Sequence, residues 1–221
     1  MKVINLSEQN TLLNQYLREI RDVNIQSDPL RFRRNIERIG EVMAMEVSRA
    51  LDYEPTKVQT PLGIAEVNTI ADSLVLGTIM RAGLPLHQGF LNMFDRAENA
   101  FLSAYRRMGR NAHGEQQLEI VAEYLAAPNL DNKTLILVDP MLATGMSMEV
   151  GYRALLRNGQ PRYTHLCCTI GTPKAIEYLE QTLGDEPITL WCAAVDPVLN
   201  EKKYIVPGLG DAGDLCFGEK L

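Results

Sequence analysis

No apolar run in this chain of 221 residues reaches the length of a membrane span, and no signal-peptide core follows Met1-Lys2. A basic run is missing as well. The net charge is −6, and Arg106, Arg107 and Arg110 form only a local cationic cluster, so neither nucleic acid nor a membrane is an expected partner. Cysteine is scarce and unpatterned. Cys167 and Cys168 are adjacent within an apolar run, and Cys192 and Cys216 stand alone, which suggests neither metal-ligand spacing nor a disulfide framework. Buried, reduced thiols in a cytoplasmic protein are the expectation. His87, His113 and His165 have no partners at ligand spacing and are read as non-functional. What is present is ordinary for a globule: 46% hydrophobic residues can fill a core, and 23% are charged. The length fits one α/β domain with an appendage, or two small domains.

The most informative stretch is TLILVDPMLATGMS, residues 134–147. Thr134 to Val138 suits a buried parallel strand, and Asp139 closes it with a carboxylate. A small-residue loop ends on Ala143-Thr144-Gly145-Met146-Ser147, where a helical pattern opens. Strand, loop and helix start together can make an anion site, since free backbone N–H groups and the positive helix end point at one spot. An ordinary β–α turn uses the same residue types. The Gly-Lys-Ser/Thr ending of a mononucleotide triphosphatase loop is absent. A carboxylate before the loop suggests instead a phosphate attached to a sugar whose hydroxyls it accepts.

Around this stretch, apolar positions Ile36, Ile39, Met43, Val47, Ala50 and Leu51 predict a helix that Pro55 ends. Residues 57–68, with Pro61-Leu62-Gly63 at the centre, read as a short β-hairpin or arm. Strands are expected at 73–80, 100–105, 165–170 and 188–194, and helices at 84–94, 148–158 and 174–183, with Gly159 as a stop. That alternation implies a parallel sheet with helices on both faces. Trp191 and Cys192 belong to its core, and Met141, Met146 and Met148 look like packing residues. Arg106 to Gln117 is expected to be a mobile loop. Residues 204–218 (YIVPGLGDAGDLCFG) carry too many glycines for a regular element. They form either a floppy tail or a loop whose backbone approaches a ligand, and the apolar anchors Tyr204 to Val206 and Phe217 favour the loop.

Four features could converge at the carboxyl ends of such a sheet: the 139–147 loop, Arg81-Ala82-Gly83 at a strand end, the arginine-bearing loop, and the glycine-rich tail. Arg81 could also serve only as an ion-pair partner there. In order and spacing, the MRAGL strand end, VDPMLATG followed by Ser147, and YIVPGLGDAGD resemble the uracil phosphoribosyltransferases over roughly Ser73 to Gly218. Pro140 after the single acid is similar to the uracil branch in particular.

The resemblance implies a type I phosphoribosyltransferase core, a parallel sheet flanked by helices, with N-terminal helices (1–56), a β-arm (57–68) and a hood, all in one domain spanning 1–221. It implies transfer of the phosphoribosyl group of 5-phosphoribosyl 1-pyrophosphate to uracil, giving UMP and pyrophosphate. Asp139, Pro140, Met141, Leu142, Ala143, Thr144, Gly145, Met146 and Ser147 would hold the phosphoribosyl group, and Arg81 and Arg106 the pyrophosphate. Ile205, Gly210, Asp211 and Ala212 would line the uracil site, with Asp211 also near the phosphoribosyl ligand. Asp139, Arg81 and Asp211 are the implied catalytic set. Mg²⁺ would accompany the pyrophosphate, held mostly by substrate oxygens and water. A homodimer or higher homo-oligomer is expected, paired through the N-terminal helices and the arm.

Three positions depart from the family pattern. Met146 stands where a second glycine is usual; a positive φ there would cost roughly 1–2 kcal/mol, whereas a helical φ would be tolerated. The segment after Arg106 is basic, with Arg107, Arg110 and His113, rather than acidic. The C-terminus reads Leu215-Cys216-Phe217-Gly218-Glu219. These leave open a shifted base preference, or a non-catalytic nucleotide-binding regulator on the same scaffold.

Overall fold

The run Thr134–Val138 (β7) is fully buried and sits at the middle of the sheet, as an uninterrupted apolar strand must. The computed structural model describes residues 1–110 and 116–220; within 104–110 and 116–122 it describes the backbone alone. In chain order, Lys2–Asn5 (β1) leads to helices Leu13–Arg21 (α1) and Pro29–Ser48 (α2). Tyr53–Thr60 (β2) and Gly63–Ile70 (β3) follow, then Leu74–Met80 (β4), Gly83–Met93 (α3), Glu98–Arg110 (β5) and Gln116–Ala126 (β6). After β7 come Met141–Leu142 (β8), Met146–Leu155 (α4), Tyr163–Gly171 (β9), Pro173–Leu183 (α5) and Ile188–Val195 (β10). Val198–Leu199 (β11), Ile205–Val206 (β12) and Ala212–Phe217 (α6) close the chain.

The main sheet runs β1-β10-β9-β7-β4-β5-β6, with β8 joined to β9. All pairs are parallel except β5–β6. Alternation along each strand feeds two cores. Leu76, Ile136, Val138, Cys167 and Trp191 face α1, α2 and α3, together with Ile205, Leu209, Ala212 and Cys216 of the tail. Val75, Leu135, Leu137, Leu166, Cys168 and Leu190 face α4 and α5. α2 begins on an Asp28 cap that accepts from Leu30 and Arg31 N–H, with Pro29 at its first position. α2 and α3 meet backbone to backbone: a Cβ on Gly89 would lie 2.0 Å from Glu37 O, and one on Gly40 2.5 Å from Leu86 O.

Several expectations are corrected here. The α2 helix stops at Ser48, not at Pro55, which lies within β2 opposite Asn68; Ala50 is exposed beyond the helix. The arm is longer than 57–68, because Tyr53 pairs with Ile70, and Thr60 Oγ1 accepts from Gly63 N–H (3.1 Å) to close the turn. Arg106 to Arg110 and Gln116 to Gln117 are not loop but ladder, the former in register with Gln116 to Ile120 across β5 and β6. The expectation for 111–115, His113 included, lies outside the described residues. The tail contains two regular elements after all, the short strand β12 and α6, the latter nucleated by the Asp211 cap. Its flanking glycines fall outside the helix, where their φ is positive: +95° at Gly210 and +84° at Gly218. The four cysteines are free and buried. Among the described residues, no helix is long and apolar enough to cross a membrane.

Candidate active site

Asp139 leaves β7 with its N–H donating to Cys167 O (3.1 Å). Pro140 O then accepts from Thr169 and Ile170 N–H (3.1 and 2.9 Å), and Met141–Leu142 pair with Ile170–Gly171. Thr172 Oγ1 donates to Ala143 O (2.9 Å). The loop is thus stitched to β9 along its length before it turns into α4. That turn is made by Gly145 at φ +81°, a conformation that costs an L side chain about 1–2 kcal/mol. Met146 is the first residue of α4 and has helical φ, so the strain considered for it does not arise.

α4 has no side-chain cap at its N-terminus. The first backbone bond is Glu149 N–H to Gly145 O, 3.0 Å, which leaves the amides of Met146, Ser147 and Met148 without helical acceptors. Ser147 and Met148 line a polar cavity of about 40 Å³ with Asp139, Met141, Leu142, Ala143, Thr144 and Gly145. That is some three times the space one water needs, suited to a single oxyanion group. A larger cavity of about 340 Å³, bounded by Lys2, Leu6, Glu46, Arg49 and Trp191, shares no residue with this loop. Burial pushes the Asp139 carboxyl up to about 7; its one hydrogen bond, from Met141 N–H, is a long 3.4 Å. A carboxylate with so few donors still has lone pairs for a ligand.

Arg81 and the tail meet this loop at the same sheet edge. β4 pairs with β7 at Thr78↔Val138, so Arg81 follows one strand end as Asp139 follows the other. A Cβ on Gly83 would strike Thr78 Oγ1 at 2.2 Å and reach Val138 O at 3.4 Å, so no side chain fits between them. Arg81, about two-fifths exposed, donates to Asp214 Oδ1 (3.0 Å) and Gly218 O (3.3 Å), tying β4 to α6. Asp211 caps α6 by accepting from Asp214 N–H (3.0 Å), with Lys220 Nζ 3.4 Å from its other oxygen. Desolvation raises the Asp211 carboxyl pKa, but the Asp214 amide and Lys220 outweigh it and hold it below the ordinary value. Ile205 and Ala212 are buried, and Gly210 has open space where a Cβ would point. Asp139 to Ser147, Arg81, and Ile205 with Gly210 to Ala212 are therefore brought to one edge. The backbone of Arg106 lies in β5 opposite Ile120, and its side chain is outside the described residues.

Four residues at this edge were not anticipated: Arg21, Arg33, Thr172 and Asp196. Arg33 Nη1 donates to Cys216 O (2.6 Å), and Asp196 accepts from Gly208 N–H (2.8 Å). A carboxylate directly after the β10 strand was the one local signal, since parallel sheets place ligand chemistry at such ends.

An uncapped helix start behind a left-handed glycine, one half-buried carboxylate before it, and a parallel sheet carrying both describe a phosphoribosyltransferase-type α/β protein. The fold is shared with an adenine phosphoribosyltransferase structure from Trypanosoma brucei (TM-score 0.53, 14% identity, 95% of this chain and 87% of that one). It also resembles a solved protein from Aquifex aeolicus at TM-score 0.80, with 27% identity over 98% of both chains. A uracil phosphoribosyltransferase family model matches residues 7–219. Similar curated relatives bear that same name. One from Porphyromonas gingivalis is 52% identical over the full length of both chains, and one from Methanothermobacter thermautotrophicus is 36% identical over 95% of this chain and 93% of its own. The chain belongs to the uracil phosphoribosyltransferase family.

Proposed function

We propose that this protein joins uracil to the phosphoribosyl group of 5-phosphoribosyl 1-pyrophosphate, giving UMP and pyrophosphate in pyrimidine salvage. The observation that carries the assignment is the uncapped start of α4 beside Asp139, on the same edge as the tail. The bond from the anomeric carbon to pyrophosphate oxygen breaks, the bond to uracil N1 forms, and the N1 proton leaves. Positive charge grows on the ribose and negative charge on the leaving group, so preorganised donors suffice and no protein nucleophile is needed.

In this assignment the amides of Gly145 to Met148, with the Thr144 and Ser147 hydroxyls, receive the 5-phosphate, and Asp139 receives the ribose hydroxyls. Arg81 keeps further N–H donors beyond the two it uses, and with Arg106 it meets the pyrophosphate. Pro140, Met141, Leu142 and Ala143 supply the wall. No cluster of three or more His, Cys, Asp or Glu among the described residues could cage a metal, while Asp139 has free lone pairs. That donor set fits a Mg²⁺ ion that arrives on the pyrophosphate and keeps water and phosphate oxygens. Beyond those oxygens Asp139 is the protein group that would hold it, and bound there it would supply charge neutralisation to the leaving group. Ile205 covers the uracil ring, and the main chain of Gly210 to Ala212 reads its edge. Cytosine's amino group and bare ring nitrogen would leave those groups unpaired, a mismatch that can cost as much as ~10⁴–10⁵ in selectivity.

The test is UMP formation from uracil and 5-phosphoribosyl 1-pyrophosphate with magnesium, run beside cytosine. A folded protein that turns over neither base would defeat the assignment. Asp211→Ala is expected to lower kcat/KM for uracil at least about tenfold, against a loss of only about 1 kcal/mol for the α6 cap. Parallel kinetics and thermal melts decide; a melting shift with intact kinetics would make Asp211 merely structural.

The arm supports self-association. A two-stranded ribbon is marginal alone, and this one stands apart from the main sheet with Leu62 101% and Ile64 69% exposed. Sedimentation is expected to give the mass of a dimer or higher homo-oligomer; a monomer at assay concentration removes this assignment.

A further inference from the structure

The backbone of the tail is gripped by an ion pair whose members are 175 positions apart. Asp196 follows β10, its N–H donating to Gly171 O (2.9 Å), and its side chain is only 7% exposed. Both of its oxygens are engaged. Arg21 Nη1 and Nη2 donate to Oδ2 and Oδ1 at 2.7 and 2.9 Å, and Gly208 N–H donates to Oδ2 at 2.8 Å. Arg21 Nη1 also donates to Gly208 O at 3.1 Å. The donor and the acceptor of one peptide residue are thus both held by the same fork.

Arg21 is the last residue of α1, and its own backbone is fixed in turn. Gln26 Nε2 donates to Ile20 O and Arg21 O (3.2 and 3.0 Å), which completes the helix end. Gly208 has φ +56°, and a Cβ on it would lie 2.1 Å from Ile205 O. Its position therefore ties Ile205 on one side to Gly210 and Asp211 on the other. The phosphate loop is held by other contacts altogether, the β8–β9 ladder and the Thr172 hydroxyl.

We propose that Arg21 and Asp196 are positioning residues for the pyrimidine: they lock the peptide planes from Gly208 to Gly210 in the orientation that recognises uracil. The inference rests on the uracil assignment above. Recognition by main-chain groups depends on their placement, and a displacement of an ångström can cost about a hundredfold. Loosening the fork therefore affects the base and spares the phosphoribosyl donor.

The experiment is steady-state kinetics on Arg21→Gln, Arg21→Lys and Asp196→Asn, with each substrate varied at saturation of the other and a thermal melt for each variant. Arg21→Gln is expected to raise KM for uracil about tenfold or more, with KM for 5-phosphoribosyl 1-pyrophosphate held within about twofold. The preference for uracil over cytosine falls with it. Arg21→Lys keeps the charge but not the fork and lies between. Asp196→Asn retains an acceptor for Gly208 N–H and serves if Arg21→Gln does not fold. Equal rises in both KM values, or an unchanged KM for uracil, would overturn the proposal. If the unmodified protein makes no UMP, the function above falls, and hydrogen exchange decides the anchoring separately. Faster exchange confined to 205–211 in the variant, with β7 and β9 unchanged, supports it; unaltered exchange there overturns it.

Discussion

Asp139→Asn is expected to lower turnover about a hundredfold and, at the same time, to raise the melting temperature above pH 7. Burial holds the Asp139 carboxyl near 7, against 3.8 for the free group. Between those values the folded protein binds a proton that the unfolded chain releases, so stability contributed by the protonated form is complete below about pH 4 and is lost as pH rises through 7. At about 1.36 kcal/mol per pH unit, the interval sets a ceiling of about 4 kcal/mol. Asp139 is only partly shielded from solvent, and a gain near 1–2 kcal/mol, roughly 2–8 °C in Tm at pH 8, follows for the neutral amide. The unmodified protein should also show kcat/KM for 5-phosphoribosyl 1-pyrophosphate rising through pH 7, a rise that the amide abolishes. Melts at pH 5 and pH 8, with pH–rate profiles of both proteins, check this. Unchanged kinetics would remove Asp139 from the site, and a Tm difference independent of pH would remove the buried-acid explanation. Stability given up at a carboxylate assigned to ligand binding is the usual cost of a preorganised site.

Gly145→Ala is expected to be the most damaging conservative change in the loop. The left-handed backbone alone costs about 1–2 kcal/mol. The new methyl would also stand 2.8 Å from Tyr178 Cδ1 and 3.0 Å from Ala175 O, so α4 must move off α5. Overpacking of that kind adds about 1–3 kcal/mol, and the sum predicts a fall in Tm of roughly 5–15 °C. Because the displaced amides are those assigned to the 5-phosphate, KM for 5-phosphoribosyl 1-pyrophosphate should rise about a hundredfold. The neighbouring Met146→Gly, at helical φ, should cost no more than about 1 kcal/mol. Differential scanning calorimetry with initial-rate kinetics separates the two. Equal tolerance of both substitutions would mean that the left-handed turn is not what shapes the cradle.

The central strands and the loop between β7 and α4 were legible because their signals are local. Five buried residues in a row, a carboxylate and a small-residue turn lie within fourteen positions. The tail was legible as a packed rather than floppy segment, through Ile205, but not as the site of α6, since a six-residue helix is set by one cap, Asp211, rather than by apolar periodicity. The extension of β5 beyond Tyr105, and β6, were missed for a different reason. Three arginines and two glycines there argue for a loop, and only pairing between strands overrides that composition. Pro55 misled similarly: it is tolerated in β2 because that strand has a single partner, so one edge needs no amide donor. Arg21 and Asp196 carry no sequence signal as a pair, because nothing in a linear chain announces which arginine will reach a distant carboxylate.

The glycine-to-glycine crossing of α2 and α3 has a reach well beyond the contact itself. α3 starts two residues after Arg81, and α2 carries the Arg33 that holds Cys216 O, so both flanks of the candidate site hang from one tight joint. A methyl wedged at Gly89, with Glu37 O 2.0 Å away, would pry the two rods apart. Harm would then surface as slackened substrate grip far from the altered atom, and a damaged chain could keep every chemical group of its site intact and still work poorly.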